Sequence, residues 1–301
     1  MSDEEDVAMI TLDPLAALVV AGGTLLAPVA VGLLIGVDRK ANAAVQLRVG
    51  PPVLQPLYDV TKLLAKASAG SDRVAAGLLA AHLVLAAGSF ALILAGGDLL
   101  VAVLVLGAAN LSFILAASAV ESPFAQLGAG RELVVLVATE PLLILVVVAY
   151  ALVAGSFSSA AIAAGSPYMV AVPTLALPLA VLLSATLRKS PFDLASSHHG
   201  HQELVKGSTT EMAGGWLAIA ELGHWYEAAV ILALIVLAAA RLPVVAAALV
   251  AALYAVVIVA DNTLPRATWR AALAIAWGVG GGGAAIALVT AVLASTKGAM
   301  G

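Results

Sequence analysis

Residues 141–187 read PLLILVVVAYALVAGSFSSAAIAAGSPYMVAVPTLALPLAVLLSATL, a run of 47 residues without one charged side chain. A helix crosses a bilayer core of roughly 30 Å with about 20 mostly apolar residues, so this run is too long for one span and long enough for two. The small, polar stretch at 155–167, GSFSSAAIAAGSP, divides it into spans near 131–154 and 168–187. Upstream, residues 14–37, 74–97 and 99–120 are also free of charge, with Gly96-Gly97-Asp98 as a tight turn between the last two. Downstream, spans are expected at about 212–240, 242–260 and 271–296. The pattern predicts an all-α, polytopic membrane protein with eight transmembrane helices, residues 1–301 forming a single membrane domain.

Composition agrees. Of 301 residues, 62% are hydrophobic and 11% charged, and the mean hydropathy is +1.09. Soluble domains carry about 25% charged residues, which excludes a water-soluble globular enzyme. The chain has no cysteine, so it holds no disulfide, no iron–sulfur cluster on thiolates and no Cys-ligated zinc. A net charge of −4 with no basic face excludes nucleic acid as a partner.

Basic residues favour the cytoplasmic side of a membrane. With the N-terminus outside, the inner connections hold Arg39, Lys40, Arg48, Lys62, Lys66, Arg73, Arg131, Arg188, Lys189, Lys206, Arg266 and Arg270, and the outer ones only Arg241 and Lys297. Both termini are then expected outside a plasma (cell) membrane, with the long charged loops cytoplasmic. The opening MSDEED is acidic where a cleaved signal peptide would be basic.

The first inner connection contains its own helix, at about 53–66. Gln55, Asp59, Lys62 and Lys66 recur at helical spacing on one face, and Leu54, Leu57, Thr61, Leu64 and Ala65 form the opposite stripe. Such an amphipathic helix lies flat at the interface. It is either a simple surface helix or the wall of a cavity beneath a docked partner. Ahead of it, Arg48 and Gly50-Pro51-Pro52 set a rigid corner at the membrane surface.

Residues 46–66, QLRVGPPVLQPLYDVTKLLAK, resemble the membrane subunit of respiratory complex I that forms its quinone chamber. Asp59 and Lys62 fall on that family's acidic and basic positions. The resemblance continues through ESPFAQLGAGR at 121–131, Glu140, Arg188 with Ser190-Pro191-Phe192-Asp193-Leu194, Gln202-Glu203-Leu204-Val205-Lys206-Gly207, Thr210-Glu211, and Leu264-Pro265-Arg266 with Trp269 and Trp277. It covers nearly the whole chain. Two strings, SHHGHQE at 197–203 and AELGHWYE at 220–227, are similar to the corresponding subunit of energy-converting, membrane-bound group 4 [NiFe] hydrogenases.

That resemblance implies a membrane subunit that binds no cofactor itself. Soluble hydrogenase large and small subunits on the cytoplasmic face would carry the [NiFe] centre and iron–sulfur clusters and exchange electrons with ferredoxin. Antiporter-like membrane subunits would complete the ion path, coupling proton reduction or H2 oxidation to H+ or Na+ translocation. The rival readings are a quinone-binding subunit of a complex I-like dehydrogenase, the equivalent subunit of a sulfur-reducing complex, and a stand-alone secondary transporter. The last would often show an inverted repeat, and the two halves here show none. Arg48, Asp59, Lys62, Arg131, Asp193, His198, His199, His201, Glu203 and Arg266 are the docking or cavity candidates.

A charge at the bilayer centre costs at least ~2.5–3.5 kcal/mol, so buried ionisable groups mark partners, water or ion paths. Glu140 sits in an apolar helix directly before Pro141, which frees a carbonyl one turn back. A carboxyl beside that carbonyl can hold water and pass a proton, or it can be a neutral, hydrogen-bonded feature of a kinked helix. Glu221 and His224 share a helix face, Glu227 continues it one turn on, and Glu211 stands near the helix start. These five form the expected proton or ion pathway; alternatively Glu221 and His224 satisfy each other. The resemblance implies a proton-channel role for Glu140 and Glu211.

No metal site is expected: His198, His199 and His201 lack HxxxH spacing and read as solvated or partner-facing. His82 reads as a satisfied core histidine and Asp98 as an outer turn residue. Gly278–Gly283 follows no strand, so it reads as close helix packing, not as a nucleotide loop.

Overall fold

The computed structural model describes residues 14–67, 72–165, 167–194 and 207–299. These residues are nearly all helical. In chain order the helices are α1 (Pro14–Val45), α2 (Gln55–Ala65), α3 (Arg73–Leu94), α4 (Leu99–Ser118), α5 (Pro123–Ala154), α6 (Ser159–Ala164), α7 (Tyr168–Ala171), α8 (Ala176–Thr186), α9 (Gly215–Ala238), α10 (Pro243–Thr263), α11 (Trp269–Ile275) and α12 (Gly282–Ala299). Among the described residues seven helical stretches are long and apolar enough to cross a membrane, and Pro173–Thr186 adds a shorter apolar one.

Alternation of the spans gathers the end of α1, all of α2, the starts of α3, α5, α9 and α11 and the ends of α4, α8 and α10 at one end of the bundle. That end also holds Arg39, Arg131, Arg188, Lys189 and Arg266, and is called the basic end below. Of the spans, α9 is the most buried and α1 among the most exposed. α9 packs against α1, α2, α3, α8 and α10, and α5 packs against α4 and α12.

Local chemistry explains several boundaries. Pro123 in the first turn fixes a helical φ where no N–H is needed, so α5 begins there and not near 131. It passes through Pro141 and ends at Gly155, whose φ of 69° suits a residue without Cβ. The span expected as one helix at 168–187 is broken into α7, a 3₁₀ turn at Pro173–Leu175, and α8. Pro173 cannot donate to the ladder of a continuing helix, so the chain restarts there. The last span is interrupted by a π-helical turn at Ala276–Gly281. There a Cβ on Gly280 would stand 2.9 Å from Leu142 Cδ1, so the glycine lets the backbone press against α5.

At the opposite end, Asp98 caps α4 by accepting from Leu100 N at 2.8 Å and Val101 N at 3.1 Å. Ser158 Oγ donates to Gly96 O, Ser159 Oγ to Ile93 O, and Leu99 N to Phe157 O, which satisfies the backbone of the α3–α4 turn. Near this turn an apolar groove of about 500 Å³ lies between α1, α3, α6 and α9.

The surface helix α2 corrects one expectation. Its buried face is Pro56 and Val60, flanked by Leu57 and Leu63 against the core, while Leu54, Tyr58 and Leu64 are exposed. The stripe expected through Leu54 and Leu64 is therefore rotated. Proline at 56 packs as an apolar side chain within the first turn, which moves the inward face around the helix.

Candidate functional site

Because α3, α4, α5 and α9 are apolar on almost every side, their few ionisable side chains must find one another. Three do so through Arg188, which follows α8 with φ 51°. Its Nη2 lies 3.0 Å from Glu132 Oε1 on α5 and 3.3 Å from His224 Nδ1 on α9. Its guanidinium also covers the Phe113 ring at 5.7 Å. His224 Nδ1 stands 3.4 Å from Glu227 Oε2 one turn further along α9. Ser208 Oγ donates to Glu132 Oε1 at 3.4 Å.

A cavity of about 50 Å³, lined by Asn110, Thr139 and, from this cluster, Glu132, Arg188 and Glu227, lies among them. It is roomy and polar enough for water, which needs roughly 10–15 Å³ of space and two or more polar partners. His224 lies roughly 14 Å along α9 from Gly215 at the basic end, close to half the depth of a bilayer core. Beyond the cavity, Glu140 faces α4: a Cβ on Gly107 would sit 2.9 Å from its Oε2. Glu140 and Glu227 feel each other electrostatically, and Glu140 Oε1 is buried without a hydrogen-bond partner. Asn110 Oδ1 is another buried, unpartnered polar atom.

His82 departs from the core-histidine expectation. Its Nδ1 lies 3.0 Å from the Ala109 carbonyl, but its Nε2 is buried and has no hydrogen-bond partner. The ring stands edge-on to His224 at 5.1 Å between centroids, and Phe113 contacts both. Gly223 permits this, because a Cβ there would overlap His82 Nε2. His82 therefore belongs to the polar cluster. Its sequence signal was an ionisable side chain in the middle of an apolar helix, which cannot say which helix it meets.

Other candidates are placed as follows. Glu221 is half-buried and interacts electrostatically with His224. Glu211 is exposed ahead of α9, apart from the buried groups. Asp59 accepts from Gln55 at 2.7 Å and pairs with Arg39 at 3.3 Å. Arg48 bonds Gln46, which itself donates to Asn262 at 2.8 Å. Lys62 is exposed. Arg131 reaches the Leu194 carbonyl at 3.4 Å. Arg266 Nε donates to Asp193 Oδ1 at 2.6 Å and its Nη2 to the Asp193 carbonyl at 3.1 Å. His198, His199, His201 and Glu203 lie outside the described residues.

One ionic cluster was absent from the sequence expectations. Lys189 Nζ lies 2.8 Å from Asp38 Oδ1 and 3.1 Å from Asp261 Oδ2, and Ser190 N donates to Asp261 Oδ1 at 3.0 Å. The only available signal was one aspartate at the end of each of two apolar helices. Glu132 was missed because it stood at the edge of the span expected at 131–154, where a charge needs no buried partner.

Residues 17–293 match the family described as NADH dehydrogenase. Two curated Escherichia coli (strain K12) proteins are similar to the chain. Hydrogenase-4 component C is 30% identical over 209 residues, covering 64% of this chain and 65% of that protein. Formate hydrogenlyase subunit 4 is 29% identical over 222 residues, covering 68% and 71%. The chain thus aligns with just under two thirds of the length of the first. Among solved structures, a chain of the membrane-bound sulfane sulfur reductase, an archaeal respiratory membrane complex, shares the fold. Its TM-score is 0.76 at 22% identity, over 92% of this chain and 99% of that one.

Proposed function

The chain belongs to the NADH dehydrogenase family, a membrane subunit of a complex I-like respiratory complex, and from that premise we propose that it serves an energy-converting hydrogenase. In this reading the basic end is cytoplasmic and docks the soluble large and small subunits. Those subunits carry the [NiFe] centre and iron–sulfur clusters and exchange electrons with ferredoxin. This chain couples their redox step to H+ or Na+ movement toward antiporter-like membrane subunits in the plasma membrane. The strings at 197–203 and 220–227, together with the two Escherichia coli relatives, support the hydrogenase branch.

The observation that carries the coupling role is the buried series Glu132, Arg188, His224 and Glu227, of which Glu132, Arg188 and Glu227 line one polar cavity, with Glu140 interacting electrostatically with Glu227. A proton arriving at the basic end can rest on Glu132, whose charge Arg188 balances. It can pass through cavity water to Glu227 or His224, and then reach Glu140, whose free oxygen accepts it. Arg188 holds one positive charge beside the path, 3.0 Å from Glu132 and 3.3 Å from His224. Glu211, ahead of α9, and Glu221, near its start, serve as entry groups.

The test is the intact complex in sealed vesicles, with E227Q and E140Q compared with the parent. Hydrogen evolution from reduced ferredoxin should continue at least in part while the accompanying ion gradient collapses. Unchanged hydrogen activity and unchanged pumping in both variants would refute the pathway. Nickel together with excess iron in the gently purified complex would support the hydrogenase branch, and iron without nickel would favour a quinone- or sulfur-reducing relative.

A further inference from the structure

We infer that His82, His224 and Glu227 form a binding site for a divalent first-row transition-metal ion of the Zn2+ type where α3 crosses α9. The site is built from side chains of this chain alone, and an ion bound there would occupy His224 and Glu227, two groups of the proposed proton path. Each of the three residues offers one ligand atom, and these atoms lie within 4.8 Å of one another.

The hydrogen bonding presets the ligands. A carbonyl only accepts, so the 3.0 Å contact of His82 Nδ1 with Ala109 O places the ring proton on Nδ1. His82 Nε2 then carries a lone pair that is buried and has no donor. An imidazole whose far nitrogen is tied to a backbone carbonyl is the usual arrangement of a metal-bound histidine. His224 Nδ1 and Glu227 Oε2 are 3.4 Å apart, long for a hydrogen bond. Two ligands bound at about 2.0–2.1 Å to one tetrahedral ion stand roughly 3.3 Å apart, which is this separation. Binding through Nδ1 leaves the His224 proton on Nε2.

The surroundings fit the same ion. Gly223 has no side chain to keep His82 from α9. The cavity that Glu227 shares with Glu132 and Arg188 gives an approach from the basic end and room for water in a fourth position. Arg188 Nη2 also contacts His224 Nδ1 at 3.3 Å, so the ion takes that lone pair from the guanidinium, which keeps Glu132 at 3.0 Å, and the carboxylates of Glu132 and Glu227 offset much of the added positive charge. Two imidazoles and one carboxylate suit zinc and its neighbours, whereas calcium and magnesium take oxygen ligands.

The test uses the full chain in detergent, purified without a histidine tag and with His198, His199 and His201 replaced by alanine so that the loop cannot compete. Cobalt(II), a spectroscopic substitute for zinc, is added and free ion removed by desalting. One cobalt per chain with the intense visible bands of tetrahedral coordination is expected. H82Q and H224Q should each abolish those bands while the far-ultraviolet helix signal is unchanged. No cobalt retained by the parent would overturn the site, and so would full retention in H82Q. Because no turnover is measured, the site can fail while the coupling role stands, and the reverse.

Discussion

Lys189 Nζ lies 2.8 Å from Asp38 Oδ1, and both side chains are buried. The contact ties the segment after α8 to α1, and Asp261 on the same ammonium ties it to α10. A buried charge that loses its partner costs far more than the intact pair contributes. K189A strands two carboxylates and should destabilise the protein by about 3–5 kcal/mol. K189M combined with D38N and D261N removes all three charges and should recover most of that loss. Thermal unfolding in detergent measures both.

Arg188 and Glu132 form the entry to the cavity, so R188Q should leave Glu132 and His224 in place but unbalanced. Hydrogen activity should fall less than ion pumping. R188K should restore pumping only in part, since an ammonium cannot contact Glu132, His224 and the Phe113 face together as a guanidinium does. The ratio of ions moved to hydrogen formed in vesicles checks this. An unchanged ratio in R188Q would contradict the expectation.

Gly107 presses on Glu140, whereas Gly77 on α3 has open space where a Cβ would go. G107A should displace the Glu140 carboxyl and lower coupling without removing any ionisable group. G77A should leave coupling intact and, if anything, raise stability by up to ~1 kcal/mol through better helix propensity. The pair separates displacement of Glu140 from a general effect of adding methyl groups to the bundle.

Asp193 is buried and receives two bonds from Arg266, which fastens the segment after α8 to the segment after α10. D193A leaves Arg266 without that carboxylate and loosens the surface on which the soluble arm is proposed to sit. The chain should remain in the membrane while the fraction carrying nickel and iron subunits falls, as read by native electrophoresis. R266K should have a milder effect.

Asp98 caps α4 far from the cluster, so D98A tests fold without function. It should cost about 1 kcal/mol of stability, as other lost N-caps do, and leave the coupling ratio unchanged.

The membrane class was legible because a charge-free run of 47 residues is a local property that needs no partner to interpret. Glu140, His224 and Glu227 were legible for the same reason, as ionisable groups are costly inside apolar helices. The Gly96-Gly97-Asp98 turn was legible from its residues alone, since glycine permits the turn and aspartate caps the start of α4. The break before Pro173 was not anticipated, although proline carried the signal, because length alone satisfied the span at 168–187.

Pairing, by contrast, required tertiary structure. α3, α4 and α5 are apolar all round, so no stripe tells which side faces which neighbour. Only the packing of α3 on α9 makes His82 a neighbour of His224, and only the return of the chain after α8 brings Arg188 to Glu132 and Lys189 to Asp38. Hydropathy determines that helices enter the membrane, because lipid acts on every residue alike. The burial of charge determines how they are arranged, because each ionisable group must meet a partner that is distant in sequence.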